Sequence, residues 1–284
     1  MVRYLRLGAR TVLAESTVPV ETAQPAERVG MAEYFVRVRL IEQQPGELAG
    51  FVAPGGGDHV RVVVGTPEGG EVPLDVSGMP LGDSRTETVV DHDVEQGFID
   101  LDVLVHGEPG AEAGIMGAWA ARAPLGSPAV LMGPKGSVVL SGEPAEVVLA
   151  GDDSALPAVR RYLGMLGPSV IGHLLLETRF DLAALGIVPP AGLCVSILTP
   201  KDAQPSATLV AALQALATPF DPLERFVFAC GEQSVVAPVR ALLTQWGIAV
   251  ERAVVKGYWK QKAEETVNAP IAGIERRASG LPRS

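Results

Sequence analysis

The chain has 284 residues, of which 47% are hydrophobic and 20% charged, and its 33 acidic against 23 basic side chains give a formal net charge of -10. That balance can bury a core and excludes overall disorder, and at roughly 150 residues per domain it leaves room for about two domains. The acidic excess has the wrong sign for a nucleic-acid binder, whose affinity rests on lysine and arginine displacing counterions from phosphates.

The chain opens with MVRYLRLGARTVLAE, where Arg3, Arg6 and Arg10 interrupt any signal-peptide core. No apolar run reaches the roughly 20 residues that span a bilayer, so a soluble cytoplasmic protein is expected. Up to about residue 142, short β-branched runs alternate with turn formers. EYFVRVRLIE, HVRVVVG, TETVVDH, FIDLDVLVHG and AVLMGP are separated by PGGGD, TPEGG, SGMPLGD and EQG. Glycine and proline at intervals near ten residues are the punctuation of an all-β barrel or sandwich. FIDLDVLV alternates strictly, which predicts a half-buried antiparallel strand with Ile99, Leu101, Val103 and Val105 inward and Asp100 and Asp102 outward.

Beyond residue 142 the rhythm lengthens. EVVLAG, VIGHLLLE, LCVSILT, RFVFAC and VERAVV read as strands, and SALPAVRRYLGML, ATLVAALQALA and SVVAPVRALLTQW as the helices between them. Alternating strands and helices with near-continuous apolar strands predict a parallel sheet covered on both faces. The expected organisation is a β-barrel domain over residues 1–142, an α/β nucleotide-fold-like domain over 143–261, and a tail over 262–284 that lacks periodicity and is expected to be loose. Cys194 and Cys230 sit inside apolar runs and read as two buried thiols in a reducing compartment, not as a disulfide or a metal site.

Chemistry is expected at the carboxyl ends of the parallel strands, where helix N-termini offer free N–H groups to phosphate. LAGDDSALPAVRR ends a strand at Gly151 and starts a helix with Asp153 or Ser154 as its N-cap. FACGEQSVVAPVR repeats the arrangement with Cys230, Gly231 and Glu232. Neither is a GxGxxG fingerprint.

LAGDDSALPA, FACGEQ followed by VRALL, and KGYW (Lys256 to Trp259) resemble the siderophore-interacting protein family, flavin- and NAD(P)H-dependent ferric-siderophore reductases related to ferredoxin reductases. HVRV at 59–62, DVLVHG at 102–107, AWAARA at 118–123 and GPKGS at 133–137 follow in the family's order, so the likeness runs over about residues 30–260. It implies a barrel that holds FAD, an α/β domain that brings NAD(P)H to it, and electrons passing on to a chelated ferric ion, a small-molecule substrate. It places Arg85 and Thr88 against the flavin and the segment Gly114, Gly117, Ala118 and Trp119 at the pyrophosphate. His106 would lie near the adenosine side. The turns Gly151, Asp152, Asp153, Ser154 and Gly231, Glu232 would line the nicotinamide crevice.

This chain also departs from the family. Where the family reads R-x-Y-T-x-R, it reads Arg85-Thr86-Glu87-Thr88-Val89-Val90, so a stacking aromatic is replaced by Glu87 and a second arginine by Val90. A carboxylate gained and a guanidinium lost would shift the local charge by two units against a pyrophosphate, where a single charge-assisted contact is worth roughly 1.5–3 kcal/mol. Where the family reads G-P-A-S, the chain has Gly114-Ile115-Met116-Gly117. A rival expectation is therefore a flavin-free descendant using the same cleft for a non-redox enzyme, with Glu87 as an acid/base group, or for ligand binding alone. Lys256, Tyr258, Trp259 and Lys260 form an aromatic and cationic cluster suited to a planar or anionic substrate. His59, His92 and His173 read as structural histidines.

Overall fold

A computed structural model describes residues 1–16, 33–106, 114–140, 142, 144–201, 204–216 and 224–261. The segment expected to be a loose tail, 262–284, lies outside the described residues.

The first half is a closed barrel of six antiparallel strands. These are β1 (Val2–Glu15), β2 (Tyr34–Glu42), β3 (His59–Val64), β4 (Arg85–Asp93), β5 (Phe98–Val105) and β6 (Pro128–Lys135), arranged β1-β2-β5-β4-β3-β6. The arginine-rich N-terminus, read above only for what it is not, is the longest strand. Leu5 and Leu7 alternate inward against partly exposed Tyr4 and Arg6, and β1 pairs with β2 along one edge and β6 along the other, which closes the barrel. Helix α1 (Gly114–Arg122) carries Met116, Trp119 and Ala120 into the barrel core.

The expectation that β5 is half-buried is corrected. Asp100 and Asp102 are 2% and 6% exposed, because partners on other elements cover them. Directly opposite on β2, Arg39 grips Asp100 at 2.8 and 2.7 Å and Arg37 grips Asp102 at 2.6 and 2.8 Å, both bidentate. Buried charges persist only when paired and hydrogen-bonded in this way.

The second half is a five-stranded parallel sheet in the order β11-β10-β7-β8-β9. Its strands are β7 (Glu146–Asp152), β8 (Ile171–Glu177), β9 (Leu193–Leu198), β10 (Arg225–Glu232) and β11 (Ala253–Trp259), with helices α2 (Leu156–Gly164), α3 (Ala207–Gln214) and α4 (Val236–Gln245). The VERAVV expectation shifts. Val250–Arg252 form a 3₁₀ turn, and the strand starts at Ala253 and runs on through KGYW. The two-buried-thiol expectation holds for Cys230 and fails for Cys194, which is exposed because β9 is an edge strand. The order in which successive strands are added reverses between β7 and β10, which run parallel, and this is the switch point at which open α/β sheets bind ligands.

Helix α2 is the joint between the halves. Arg160 reaches Asp102 at 3.1 Å, and Arg161 donates to the carbonyls of Val89 at 2.8 Å and Ala53 at 2.7 Å. The fully buried Tyr162 packs between Phe226 and Phe228 and against Gly56 of the PGGGD loop, where a Cβ would lie 2.6 Å from its ring. Glycine is required there by close approach.

Candidate functional site

A cleft of about 900 Å³ opens between one end of the barrel and the carboxyl edge of the sheet. The barrel contributes the start of β4 with Arg85, Glu87 and Thr88, then His59, His106, and Gly114, Met116 and Gly117 from the first turn of α1. The sheet contributes Asp152 at the end of β7 with Asp153 and Ser154 after it, Glu177 at the end of β8 with Arg179 beyond it, Lys201 after β9, and Lys256, Tyr258 and Trp259 from β11. Most residues expected at a site are thus brought to one cavity although they lie on elements far apart in sequence.

Six expected residues do not line it. Trp119 is fully buried and Ala118 6% exposed, because α1 turns them into the barrel core. Gly151 and Gly231 lie within strands, where they make room. A Cβ on Gly151 would lie 2.5 Å from that of Ala155, and one on Gly231 would lie 2.7 Å from the Asp152 carboxylate. Glu232 and Lys260 are also absent from the lining.

The N-cap of the first turn is Asp152, one residue before the expected Asp153 or Ser154. It accepts hydrogen bonds from Ser154 N and Oγ, from Glu232 N at 2.9 Å and from the Trp259 indole at 2.7 Å. Glu232 repeats the device at the second turn, accepting from Ser234 N at 2.6 Å and Gln261 N at 3.1 Å. The helix-start donors offered to phosphate in the sequence are therefore partly occupied by the chain's own carboxylates. The cations of this half, Arg179, Lys201 and Lys256, stand elsewhere on the cleft wall. Arg179 and Lys201 lay in unpatterned connections, and nothing in the sequence singled them out.

Electrostatically the cleft is less acidic than its composition. Burial pushes Glu87 up to about 8, opposed only by the Arg85 guanidinium. Burial likewise lifts Asp153 to about 7 and raises Asp152 and Glu177. Desolvation penalises a charged carboxylate more than a neutral acid. That upward shift weakens the negative charge Glu87 presents, so the carboxylate counts for less against a pyrophosphate than its formal charge. His59, read as structural, stands in the cleft wall. Burial lowers its pKa, and its Nδ1 lies 3.1 Å from the Gly57 carbonyl, an N–H donor arrangement that leaves Nε2 as an acceptor. His106 is held up by its bond to Glu33, 2.7 Å away. Burial, then Cys230, raise Tyr258 well above the ordinary phenol range. Among the described residues no three His, Cys, Asp or Glu side chains converge as metal ligands.

The barrel wall suits a flavin dinucleotide. Its volume is ample, Arg85 is exposed at its rim, and the first turn of α1 faces it with N–H groups that have no partner inside a helix. At Gly114 a Cβ would meet open space, so a ligand approaches that backbone unhindered. Tyr258 and Trp259 place aromatic side chains on the cleft wall.

Residues 31–138 match the family model of the siderophore-interacting FAD-binding domain, and residues 144–262 that of the siderophore-interacting protein. The chain is 30% identical over 251 residues to the ferric vibriobactin reductase ViuB of Vibrio cholerae, covering 83% of this chain and 87% of that one. A siderophore utilization protein from T. fusca superposes with a TM-score of 0.68 at 25% identity, over 93% of this chain and 94% of the other. The siderophore-interacting protein SipS of Aeromonas hydrophila superposes with a TM-score of 0.66 at 19% identity, over 92% and 98%, a likeness of fold. Among the described residues no helix is long and apolar enough to cross a membrane.

Proposed function

Because the chain belongs to the siderophore-interacting protein family and carries its ferredoxin-reductase-like fold, we propose that it reduces iron(III) held in a small-molecule chelate, using FAD on the barrel side of the cleft and NAD(P)H from the sheet side. The observation that carries this reading is the single cavity that joins Arg85, Thr88 and the first turn of α1 to the Lys256–Trp259 strand. When bound, the flavin supplies the passage from two-electron to one-electron chemistry and the nicotinamide supplies the hydride.

The chain's own residues then have separable tasks. Arg85 and the α1 first turn hold the flavin pyrophosphate by charge and backbone donors. Thr88 would contact the flavin from the barrel side, and Tyr258 and Trp259 would offer it aromatic surface from β11. Arg179 and Lys201 meet the anionic part of the nicotinamide dinucleotide, since Asp152 and Glu232 occupy the turns. The exposed cation Lys256 stands at the mouth to receive an anionic ferric complex. Hard oxygen chelators grip iron(III) much better than iron(II), so one electron loosens the metal with the chelator intact.

The test is a titration of purified protein with FAD, followed by melting temperature and visible absorbance, because ligand that binds only the native state raises stability. Saturating FAD is expected to colour the protein and raise its melting temperature, and NAD(P)H with a ferric catecholate then yields iron(II), trapped by a ferrous dye. No change in either signal sinks the reading. The competing reading, a flavin-free cleft, is favoured by Glu87 at the stacking position, and the same titration separates the two.

A further inference from the structure

Among the carboxyl groups on the cleft wall, Glu87 is the one with no hydrogen bond to either oxygen among the described residues, whereas Asp153 and Glu177 each leave one oxygen, Oδ1 and Oε1, without a partner. Asp102 is gripped by Arg37 and Arg160, Asp152 accepts from Ser154, Glu232 and Trp259, and Glu177 accepts from Ser206 N. Glu87 has no hydrogen-bond or ion-pair partner among the described residues. Directly across the ladder on β3 stands Val60, which is buried in the barrel core and offers no side-chain donor. Arg85 on the same strand is exposed and turns its guanidinium to the Ser84 carbonyl at 3.1 Å. The other titratable groups on the neighbouring walls are His59 on β3, His106 after β5, and Lys256 and Tyr258 on β11, and none is paired with Glu87. A half-buried carboxyl without a donor is costly as an anion and much less so as an acid. As an acid it carries one O–H donor aimed at nothing the protein provides.

We propose that Glu87 meets the ring system bound in this cleft as a neutral carboxyl that donates a hydrogen bond to a ring carbonyl or nitrogen acceptor, so that one residue gates binding by pH. The inference rests on the flavin reading above and specifies how this chain replaces an aromatic stacking contact with a polar one. The elevation of Glu87 to about 8 places the gate just above neutrality. Below it the donor is present. Above it a carboxylate faces the electron-rich edge of the ring, and each further pH unit leaves about tenfold less of the competent form. The sheet-side carboxyls Asp152, Asp153 and Glu177 sit at the opposite wall, and each already accepts at least one protein donor, so they do not take the place of Glu87 on β4.

The experiment titrates the full-length apoprotein with FAD between pH 6.5 and 9.5, following flavin fluorescence, and repeats it with Glu87→Gln and Glu87→Tyr. Above about pH 8 the wild type is expected to weaken about tenfold per pH unit, a fall that both variants lack, while any change near pH 7, where Asp153 titrates, is shared by all three. Calorimetry at pH 9 in two buffers of different ionisation enthalpy provides a second readout, with uptake of close to one proton per FAD by the wild type and none by E87Q. A wild-type profile that is flat, or that parallels E87Q, overturns the inference while leaving flavin binding intact. Affinity that rises with pH overturns it outright. Absence of FAD binding at every pH in all three proteins removes the flavin reading and this inference with it.

Discussion

Asp102 lies between two guanidiniums on different halves of the molecule, which makes Asp102→Asn a direct probe of the joint. In the native arrangement Arg37 holds it at 2.6 and 2.8 Å and Arg160 reaches it at 3.1 Å. Asparagine keeps the shape and removes the charge, and its amide NH₂ then faces a donor while Arg37 and Arg160 repel each other. Removing one partner of a buried ion pair costs about 3–5 kcal/mol. Here the arginine side chains are 24% and 28% exposed, so water softens the orphaned charges and a loss of about 2–3 kcal/mol is expected. At roughly 2–4 °C per kcal/mol for chains of this size, the melting temperature falls by about 5–10 °C. Arg160→Ala leaves the bidentate Arg37–Asp102 pair standing and costs under about 1 kcal/mol. In the Arg160→Ala background the cost of Asp102→Asn shrinks by about 1 kcal/mol, because only one guanidinium is then abandoned. Thermal and urea unfolding followed by circular dichroism measure all four proteins. An Asp102→Asn effect within 0.5 kcal/mol of zero, or an Arg160→Ala effect as large as it, refutes this account of the joint.

Gly56→Ala drives a Cβ to 2.6 Å from the immobile Tyr162 ring and is expected to cost about 1–3 kcal/mol, partly recovered by adding Tyr162→Leu; melting temperatures of the three variants decide it. At the opposite end of the sheet, Arg225 and Glu146 pair at 2.7 Å with side chains only 5% and 3% exposed. Glu146→Gln should lose about 3–5 kcal/mol, whereas the double replacement Glu146→Leu with Arg225→Met recovers most of it in urea denaturation. Because Glu33 raises the pKa of His106 above its ordinary 6.5, the stability from that pair is complete below pH 6.5 and is lost as pH rises through the elevated midpoint. Imidazole proton shifts followed by NMR should show that midpoint falling in Glu33→Gln.

The period-2 pattern of β5 and the strand–helix rhythm after residue 142 made both halves legible, because each rests on local apolar spacing. The misreadings share a different cause, which is burial decided by a partner distant in sequence. Asp100 and Asp102 alternate like outward residues, and only Arg37, Arg39 and Arg160 make them interior. Cys194 lies in a run as apolar as that of Cys230, yet β9 ends the sheet and β10 lies inside it. In β1 the inward alternation of Leu5 and Leu7 was present but overlaid by Arg3, Arg6 and Arg10, whose guanidiniums donate to the carbonyls of Gly133, Gly126 and Ala123. At the site, motif-like segments located the β4 edge, the α1 start and β11. Arg179 and Lys201 carry no pattern of their own, His59 opens the HVRV motif but nothing there marks it as a cleft residue, and the upward shift of Glu87 follows from desolvation that no spacing encodes.

The indole of Trp259 has a consequence for measurement. Of the chain's 3 tryptophans, Trp119 and Trp246 are sealed at 0% and 7% exposure, and Trp259 stands 41% exposed on the cleft wall. Its N–H is tethered to Asp152 at 2.7 Å, so its emission senses whatever enters beside it while the other two form a constant background. The molecule thus carries its own optical gauge of occupancy, which becomes a single emitter once phenylalanine replaces Trp119 and Trp246. A chelate or nucleotide without colour of its own can then be counted into the protein without a label.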